Sequence, residues 1–463
     1  MQQPTSTRHL ELQGTTVRRL LRRGAKGKIA KVFGKLHPED IAVMLRTFTP
    51  GEQVSVFRLL IDHFDQVASD VLVALEPQAR LVVLEHISPG QIAQMLELAA
   101  VDDAVFLLDA LPTDVKEKVL EIVDLEERFS EVQERLVYED ETAGRIMDSE
   151  FVALDESSTV AAAIDRVRQT AQDIDMISYL YVVDQMGRLN GVVSLRQLLL
   201  GDREQALGEI MNTGVVKVHI DTDQEEVAQL AARYDLLAIP VTDEDGVLAG
   251  IVTVDDIIDV FKEEATEDFY KMAGTSEDEI VYQDRSLKVA GIRLPWILFN
   301  LVGLLFAGLA TTRFEEKFDM AVLVGFIPVI MGMAGNVGAQ TSTIAVRGLA
   351  TGRLTLGQGR IRHFLWQQVK VGLILGVVCA SIVAVAARLY QQNIGISVVV
   401  GISLFATVMI ASINGVLVPV LFQRLDFDPA VASGPLVTTA NDLLGILIYF
   451  GLAIALGQSL GLF

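Results

Sequence analysis

Cysteine is nearly absent from this 463-residue chain: Cys379 is the only one, and it lies in an apolar stretch. A disulfide framework and a cysteine-based metal site are thereby excluded. Histidine is scarce too, with six residues, none near the centre of an apolar run and none in a His-Glu-x-x-His arrangement. The N-terminus is polar and then basic, without an apolar h-region, so no secretory signal is expected. Positive charge is in deficit: 38 Lys and Arg face 60 Asp and Glu, a formal net charge of −22. The deficit is uneven. Residues 1–36 hold nine Lys and Arg against one Glu, and residues 284–463 hold 12 against 7, which leaves residues 37–283 with about −35. An acidic block of that size argues against nucleic acid as a partner and suggests cationic ligands, because its self-repulsion needs counterions or bound metal.

What the chain has in quantity is apolar sequence: 51% of it is hydrophobic, and the mean hydropathy is +0.40. Apolar stretches cover 294–311, 320–346, 367–387, 396–422 and 430–457. About 20 helical residues cross a bilayer core, so five spans and termini on opposite sides are expected. With the acidic module placed in the cytoplasm, the inner segments carry Arg285, Lys288, Arg293, Arg347, Arg353, Arg360, Arg362 and Arg424. The outer loops carry Arg313, Lys317 and Arg388. That asymmetry follows the positive-inside rule, and Trp296 and Trp366 fall at the cytoplasmic boundaries.

Two spans carry polar residues that lipid-facing helices lack. The second contains Pro328, Asn336, Gln340, Thr341, Ser342 and Thr343; the fifth contains Pro435, Thr438, Thr439, Asn441 and Asp442. Asp442 is the only charged residue from 430 to the C-terminus. It lies about 11 residues into its span, roughly 16 Å deep, near the midplane. A lone carboxylate there costs about 2.5–3.5 kcal/mol on insertion scales. It therefore faces water or an ion, or is a protonated group that joins helices.

Residues 15–36 read as a basic amphipathic helix. It either contacts anionic headgroups or is a solvated helix interrupted at Gly24 and Gly27. From 37 to 137 short apolar-periodic stretches alternate with Pro38, Pro50, Pro77, Pro89 and Pro112, a pattern of short helices stacked into a superhelix. Residues 146–264 contain a duplication. Ile146-Met147-Asp148 recurs as Ile210-Met211-Asn212, and YVVDQMGRLNGVVS (181–194) matches PVTDEDGVLAGIVT (240–253). These α/β repeats, 138–209 and 210–264, resemble tandem cystathionine-β-synthase-type (CBS) domains. The resemblance implies a regulatory module that often binds an adenine nucleotide such as ATP. Thr253 and Asp256 match the spacing that reaches the ribose, whereas the first repeat has Ser194 and Gln197. Residues 265–287 read as an acidic connector helix leading into a membrane domain at 288–463.

The order of these parts, together with PVIMGMAGNVGAQTSTIAVRGLATG, DPAVASGPLVTTANDLLGILIYF and YEDETAGRIM, resembles the MgtE family of magnesium channels and transporters. The resemblance covers nearly the whole chain. It implies a multi-domain fold: an α-helical superhelical N-terminal domain, tandem CBS domains and five transmembrane helices. It further implies a homodimer in the cell membrane with its pore on the dimer axis, not an enzyme. By the same resemblance Asp442 is the pore carboxylate, with Asn441, Thr438, Asn336 and Gln340 beside it. Regulatory metal acids carry over to Asp102, Asp103, Asp256, Asp259, Glu264, Glu267, Asp268 and Asp428. Ala339 departs from the family's polar residue in the Gly-Asn-x-Gly-x-Gln stretch, and the basic N-terminal extension is unusually long.

Magnesium suits this chemistry. It prefers octahedral oxygen ligands and releases its waters reluctantly, so carboxylate, amide and hydroxyl groups around a hydrated ion are apt. No His or Cys accompanies Asp442, which disfavours zinc or copper. An intramembrane hydrolase lacks its residues here, and a chloride channel would be opposed by Asp442. A sensor on an inert anchor needs neither five spans nor a buried Asp. The expected activity is Mg²⁺ conduction with negative feedback, in which cytoplasmic Mg²⁺ bridges acidic surfaces and closes the pore.

Overall fold

The structure is a computed structural model that describes residues 7–460 apart from 124–128, 171–176, 277, 282–284, 319–320, 355–358, 426, 433 and 458. The chain forms two compact units, Met1–Lys262 and Glu263–Phe463.

The first unit opens with short helices: α1 (Thr7–Arg22), α2 (Lys26–Phe33), α3 (Pro38–Leu45), α4 (Pro50–Ile61), α5 (Asp65–Ala74), α6 (Pro77–Leu84), α7 (Pro89–Leu98), α8 (Val101–Asp109), α9 (Thr113–Val123) and α10 (Phe129–Leu136). Four of them begin on proline, whose missing N–H is not needed at the first helical position. Capping boxes at Thr49–Glu52 and Ser88–Gln91 close the starts of α4 and α7. None of these helices would be stable alone. They share one core that includes Ile41, Leu45, Phe57, Leu72, Leu84 and Leu108. Val17, Ile29 and Phe33 are buried in that same core. Among the described residues, the basic segment 7–36 is therefore not a separate solvated helix. It is a helix pair turned at Gly24 (φ +64°), and its apolar face completes the helical domain.

The CBS repeats follow as α11 (Ala143–Ile146), β1 (Ala153–Asp155), α12 (Val160–Thr170), β2 (Tyr179–Val183), β3 (Leu189–Ser194), α13 (Leu195–Leu200), α14 (Leu207–Ile210), β4 (Val218–His219), α15 (Gln224–Tyr234), β5 (Ala238–Thr242), β6 (Leu248–Thr253) and α16 (Val254–Ala273). Each repeat has a three-stranded sheet with a parallel first pair and an antiparallel hairpin, ordered β1-β2-β3 and β4-β5-β6. The duplicated Ile-Met-Asp/Asn segments are exchanged between repeats. Asp148 pairs with Ile251, and Asn212 pairs with Val192. Met147 covers Gly250 and Met211 covers Gly191; a Cβ at either glycine would come 2.7 Å from the methionine sulfur. Ala143 and Met147 accordingly belong to the second repeat's core, and Leu207 to the first's. The division at residue 209/210 separates the sequence repeats, but the cores interleave across it.

A distinct connector helix over 265–287 is not what forms. α16 starts inside the second repeat and runs unbroken to Ala273, and α17 (Asp278–Val281) is a separate turn. In the second unit come α18 (Ser286–Phe318), α19 (Ala321–Val324), α20 (Ile327–Ala350), α21 (Arg360–Gln391), α22 (Ile394–Arg424) and α23 (Pro435–Gly457). Five helical segments among the described residues are long and apolar enough to cross a membrane. α22 is the most enclosed, with 56% of its most apolar window buried against 11% for α18. The bundle core includes Ile330, Ala334, Leu404, Val408, Tyr449 and Phe450. The Tyr449 hydroxyl donates to the Leu323 carbonyl at 2.8 Å, so its polar end is satisfied where water is absent.

Candidate functional site

Asp442 is the only charged residue of α23. The chain turns over residues 429–432 before the helix begins at Pro435. Asp442 thus stands roughly 10 Å along the helix, not the deeper position counted from residue 430. Thr438 lies one turn earlier on the same face. A Cβ at Gly335 of α20 would stand 3.1 Å from Thr438 Cγ2 and 3.4 Å from Asp442 Oδ1. The missing side chain at 335 is what admits this face of α23. Asn441 is one residue, about 100°, further round the helix, and it is 1% exposed. It packs on Gly338, where any Cβ would overlap its amide, and its Oδ1 accepts from Asn414 Nδ2 at 3.2 Å. Asn441 therefore serves helix packing and does not share the face of Asp442. Asn336 and Gln340, four residues apart, are exposed on one face of α20. Thr439 Oγ1 donates to Asn300 Oδ1 of α18 at 3.2 Å. Asn414 and Asn300 were not expected, although each is a lone amide within an apolar run.

A second grouping lies in the first unit, where the N-terminal turns of α8 and α16 face one another. Burial, then the charge of Asp148, raises Asp102 above the usual carboxylate range, with Arg135 opposing. Asp103 is pushed up to about 7 by burial and then by Asp102, Asp70 and Asp255. Asp256 is also pushed up to about 7, by burial and then by Asp102, against the hydrogen bond it accepts from Thr253. Asp102, Asp103 and Asp256 are thus brought together, with Asp255 and Asp148 as members that sequence reasoning missed. Asp259 is not part of the group: it is exposed on α16 and pairs with Lys262 at 2.6 Å. Arg145 holds α8 to α11 through Asp109 at 2.6 Å, while its own side chain is largely buried. No three His, Cys, Asp or Glu side chains among the described residues converge tightly enough to enclose a metal. The all-oxygen donor set nevertheless fits Mg²⁺, which keeps several waters and is commonly held by one or two carboxylates.

The third grouping is in the second unit. Lys271 near the end of α16 bridges Glu267 at 2.5 Å and Asp428 at 2.7 Å. Burial alone would lower its pKa, but hydrogen bonds to Asp428 and Glu267 outweigh that and raise it. Asp268 is pushed up to about 6 by burial and the charge of Asp428, with Lys271 and Arg347 opposing. Glu264 lies half-buried on the same helix. Met272 and Gly274 seat against Gly434 and Pro435, the start of α23. This junction lies only seven residues from Asp442. The Lys271 bridge was missed, although its spacing from Glu267 is the helical i,i+4 spacing of an ion pair.

The residues matched to a nucleotide have a local use. Asp256 Oδ2 accepts from Thr253 Oγ1 at 2.7 Å and Thr253 N at 3.4 Å, and Gln197 does the same for Ser194 at 2.8 Å and 2.9 Å. Both repeats use the spacing to cap a helix. Thr253 also lines a narrow cavity of about 10 Å³ with Phe151, Tyr179, Tyr181, Leu237 and Ile251.

Comparison with known proteins follows these divisions. Residues 36–141 match the MgtE intracellular N domain, 143–202 and 207–263 the CBS domain, and 327–452 the divalent cation transporter domain MgtE. The magnesium transporter MgtE of Bacillus subtilis (strain 168) is 35% identical over 442 residues, 95% of this chain and 96% of its own. That of Thermus thermophilus is 36% identical over 457 residues, 96% and 98%. The chain belongs to the MgtE family of magnesium transporters. A crystal structure of the cytosolic domain of the Mg²⁺ channel MgtE in complex with ATP is 36% identical, covering 53% of this chain and 99% of that one at a TM-score of 0.49. Both relatives are named magnesium transporters, and five helices among the described residues of this chain are long and apolar enough to cross a membrane.

Proposed function

We propose that this MgtE-family chain is a homodimeric, Mg²⁺-selective channel that cytoplasmic Mg²⁺ closes. The observation that carries the pore is Asp442, the one charge of α23, half-buried over Gly335. Asn336 and Gln340 are exposed on a helix that membrane insertion would otherwise leave against lipid. A polar face of this kind needs water or a partner, and a second copy apposed there encloses a path lined by two Asp442 carboxylates. Thr438 adds an oxygen on the same face. The N-terminus is then cytoplasmic and the C-terminus outside, in keeping with the Lys and Arg asymmetry.

Closure rests on the two acidic groupings. Without metal, burial of the ionised carboxylates first, and the charges of neighbouring acids second, oppose the arrangement of Asp102, Asp103 and Asp256. Mg²⁺ relieves that opposition and favours the packed arrangement of α8 on α16. Glu264, Glu267, Asp268 and Asp428 offer further oxygens where α16 meets the start of α23, so ordering α16 bears directly on the pore helix. Asp259, turned outward, is left for a site shared with another surface. Moving a gate from 1:99 to 99:1 needs about 5.5 kcal/mol of differential binding, which several weak sites can supply together. An adenine nucleotide at the Thr253 cleft would bind beside the Asp256 grouping and so couple to it; the cleft must widen to admit a base.

The deciding experiment is Mg²⁺ flux into liposomes containing the purified chain. Asp442→Asn keeps shape and deletes charge; flux should fall to the background of empty liposomes while the dimer stays intact. Wild-type flux from that variant would remove Asp442 from the pore.

A further inference from the structure

We infer that Asn414 is a positioning residue for the pore: through its hydrogen bond to Asn441 it sets the rotation of α23 that presents Asp442. This rests on the reading of Asp442 as the pore carboxylate.

α22 is the most enclosed of the five long helices, and Asn414 is its only amide between Ile394 and Phe422. Asn414 Nδ2 donates to Asn441 Oδ1 at 3.2 Å. Asn441 is 1% exposed, and its own Nδ2 finds no acceptor among the described residues. Losing Asn414 would leave both ends of that buried amide without a partner. In a setting that offers no water, a buried amide so stranded is costly, which favours a rotation of α23 that gives it a partner.

The bond is one of three fastenings within a single turn of α23. Asn441 joins α22, Thr439 joins Asn300 of α18 at 3.2 Å, and Thr438 with Asp442 lies over Gly335 of α20. Asn441 and Asp442 are neighbours about 100° apart. Holding the first against α22 therefore fixes the second about 100° round the helix from that contact, over Gly335 of α20. A rotation that lets Asn441 seek water would carry it toward the ion path and carry Asp442 away from it. Recognition of a hydrated Mg²⁺ demands well-placed oxygens, so the first property to suffer is discrimination against monovalent ions.

The test uses full-length protein in liposomes, with Mg²⁺ and K⁺ fluxes measured on the same preparation and Asp442→Asn as control. Asn414→Leu, close in volume and unable to hydrogen bond, should lower the Mg²⁺/K⁺ flux ratio about tenfold, the equivalent of one hydrogen bond of ~1.4 kcal/mol. Asn414→Gln, which keeps the donor, should restore most of the ratio. The double variant Asn414→Leu/Asn441→Leu should be no worse than Asn414→Leu, because the two act as one unit. A purely structural role would reduce both fluxes together, in proportion to folded protein, and leave the ratio unchanged; that result overturns the inference. Additive effects in the double variant overturn it as well. If Asn414→Leu is not recovered folded, the smaller polar change Asn414→Ser decides by the same ratio. Wild-type Mg²⁺ flux from Asp442→Asn would instead defeat the pore assignment itself, independently of Asn414.

Discussion

Asp256→Asn isolates the electrostatic term in closure. The substitution keeps an oxygen for Thr253 N and Oγ1 and deletes the charge that faces Asp102 and Asp255. Burial, then Asp102, pushes Asp256 up to about 7 from 3.8. A displacement of that size corresponds to roughly 4 kcal/mol against packing once the pH is well above 7, as an upper, order-of-magnitude value. The sign follows from the packed state having the higher pKa. Packing is strongest below pH 4, weakens as pH rises, and has lost this contribution above about 7. The variant lacks this dependence at position 256. The measurement is the rate of limited proteolysis of the cytoplasmic half of the full-length protein, in EDTA at pH 8. Under these conditions cleavage follows the population of the open form. Even a third of the 4 kcal/mol, about 1.4, slows cleavage tenfold, and the extra protection from millimolar Mg²⁺ should shrink by a similar factor. Near pH 5 wild type and variant should converge. Cleavage of the variant in EDTA at pH 8 as fast as wild type would refute the claim that the buried, ionised Asp256 carboxylate opposes packing. Protection of the wild type by NaCl at matched ionic strength, equal to that by Mg²⁺, would reduce the effect to screening.

Lys271→Gln removes the cation that bridges Glu267 and Asp428, leaving those acids free for metal; the Mg²⁺ concentration that half-closes the pore should fall about fivefold or more. A rise instead would make Lys271 a latch that holds the closed seat by itself. For the nucleotide, calorimetric titration of ATP into the purified chain should show binding that Thr253→Ala weakens, since Thr253 lines the cleft; absence of heat from the wild-type protein would end the proposal.

Much of this molecule is legible in its residues because the relevant forces act along the chain. Five apolar runs of membrane-spanning length, the positive charges between them and one carboxylate in the last run define the membrane domain. Hydrocarbon tolerates little else. Prolines at helix starts and duplicated strand–turn–strand segments mark the soluble parts for equally local reasons. Tertiary structure decided what depends on which surfaces meet. The basic N-terminal segment looked solvated because its charges dominate, yet Val17, Ile29 and Phe33 had a core to enter. The Ile-Met-Asp/Asn duplicates looked like parts of their own repeats, but their methionines fit the glycine gaps of the other repeat. Thr253 and Asp256 were read as a ligand motif, and the fold gives them a local hydrogen bond at the start of α16 as well. Asn441 and Asp442 are adjacent in sequence and were read as one site. A helix turns about 100° between them, and only packing against Gly338 and Asn414 settles which of the two is buried in the helix contact and which stands over Gly335.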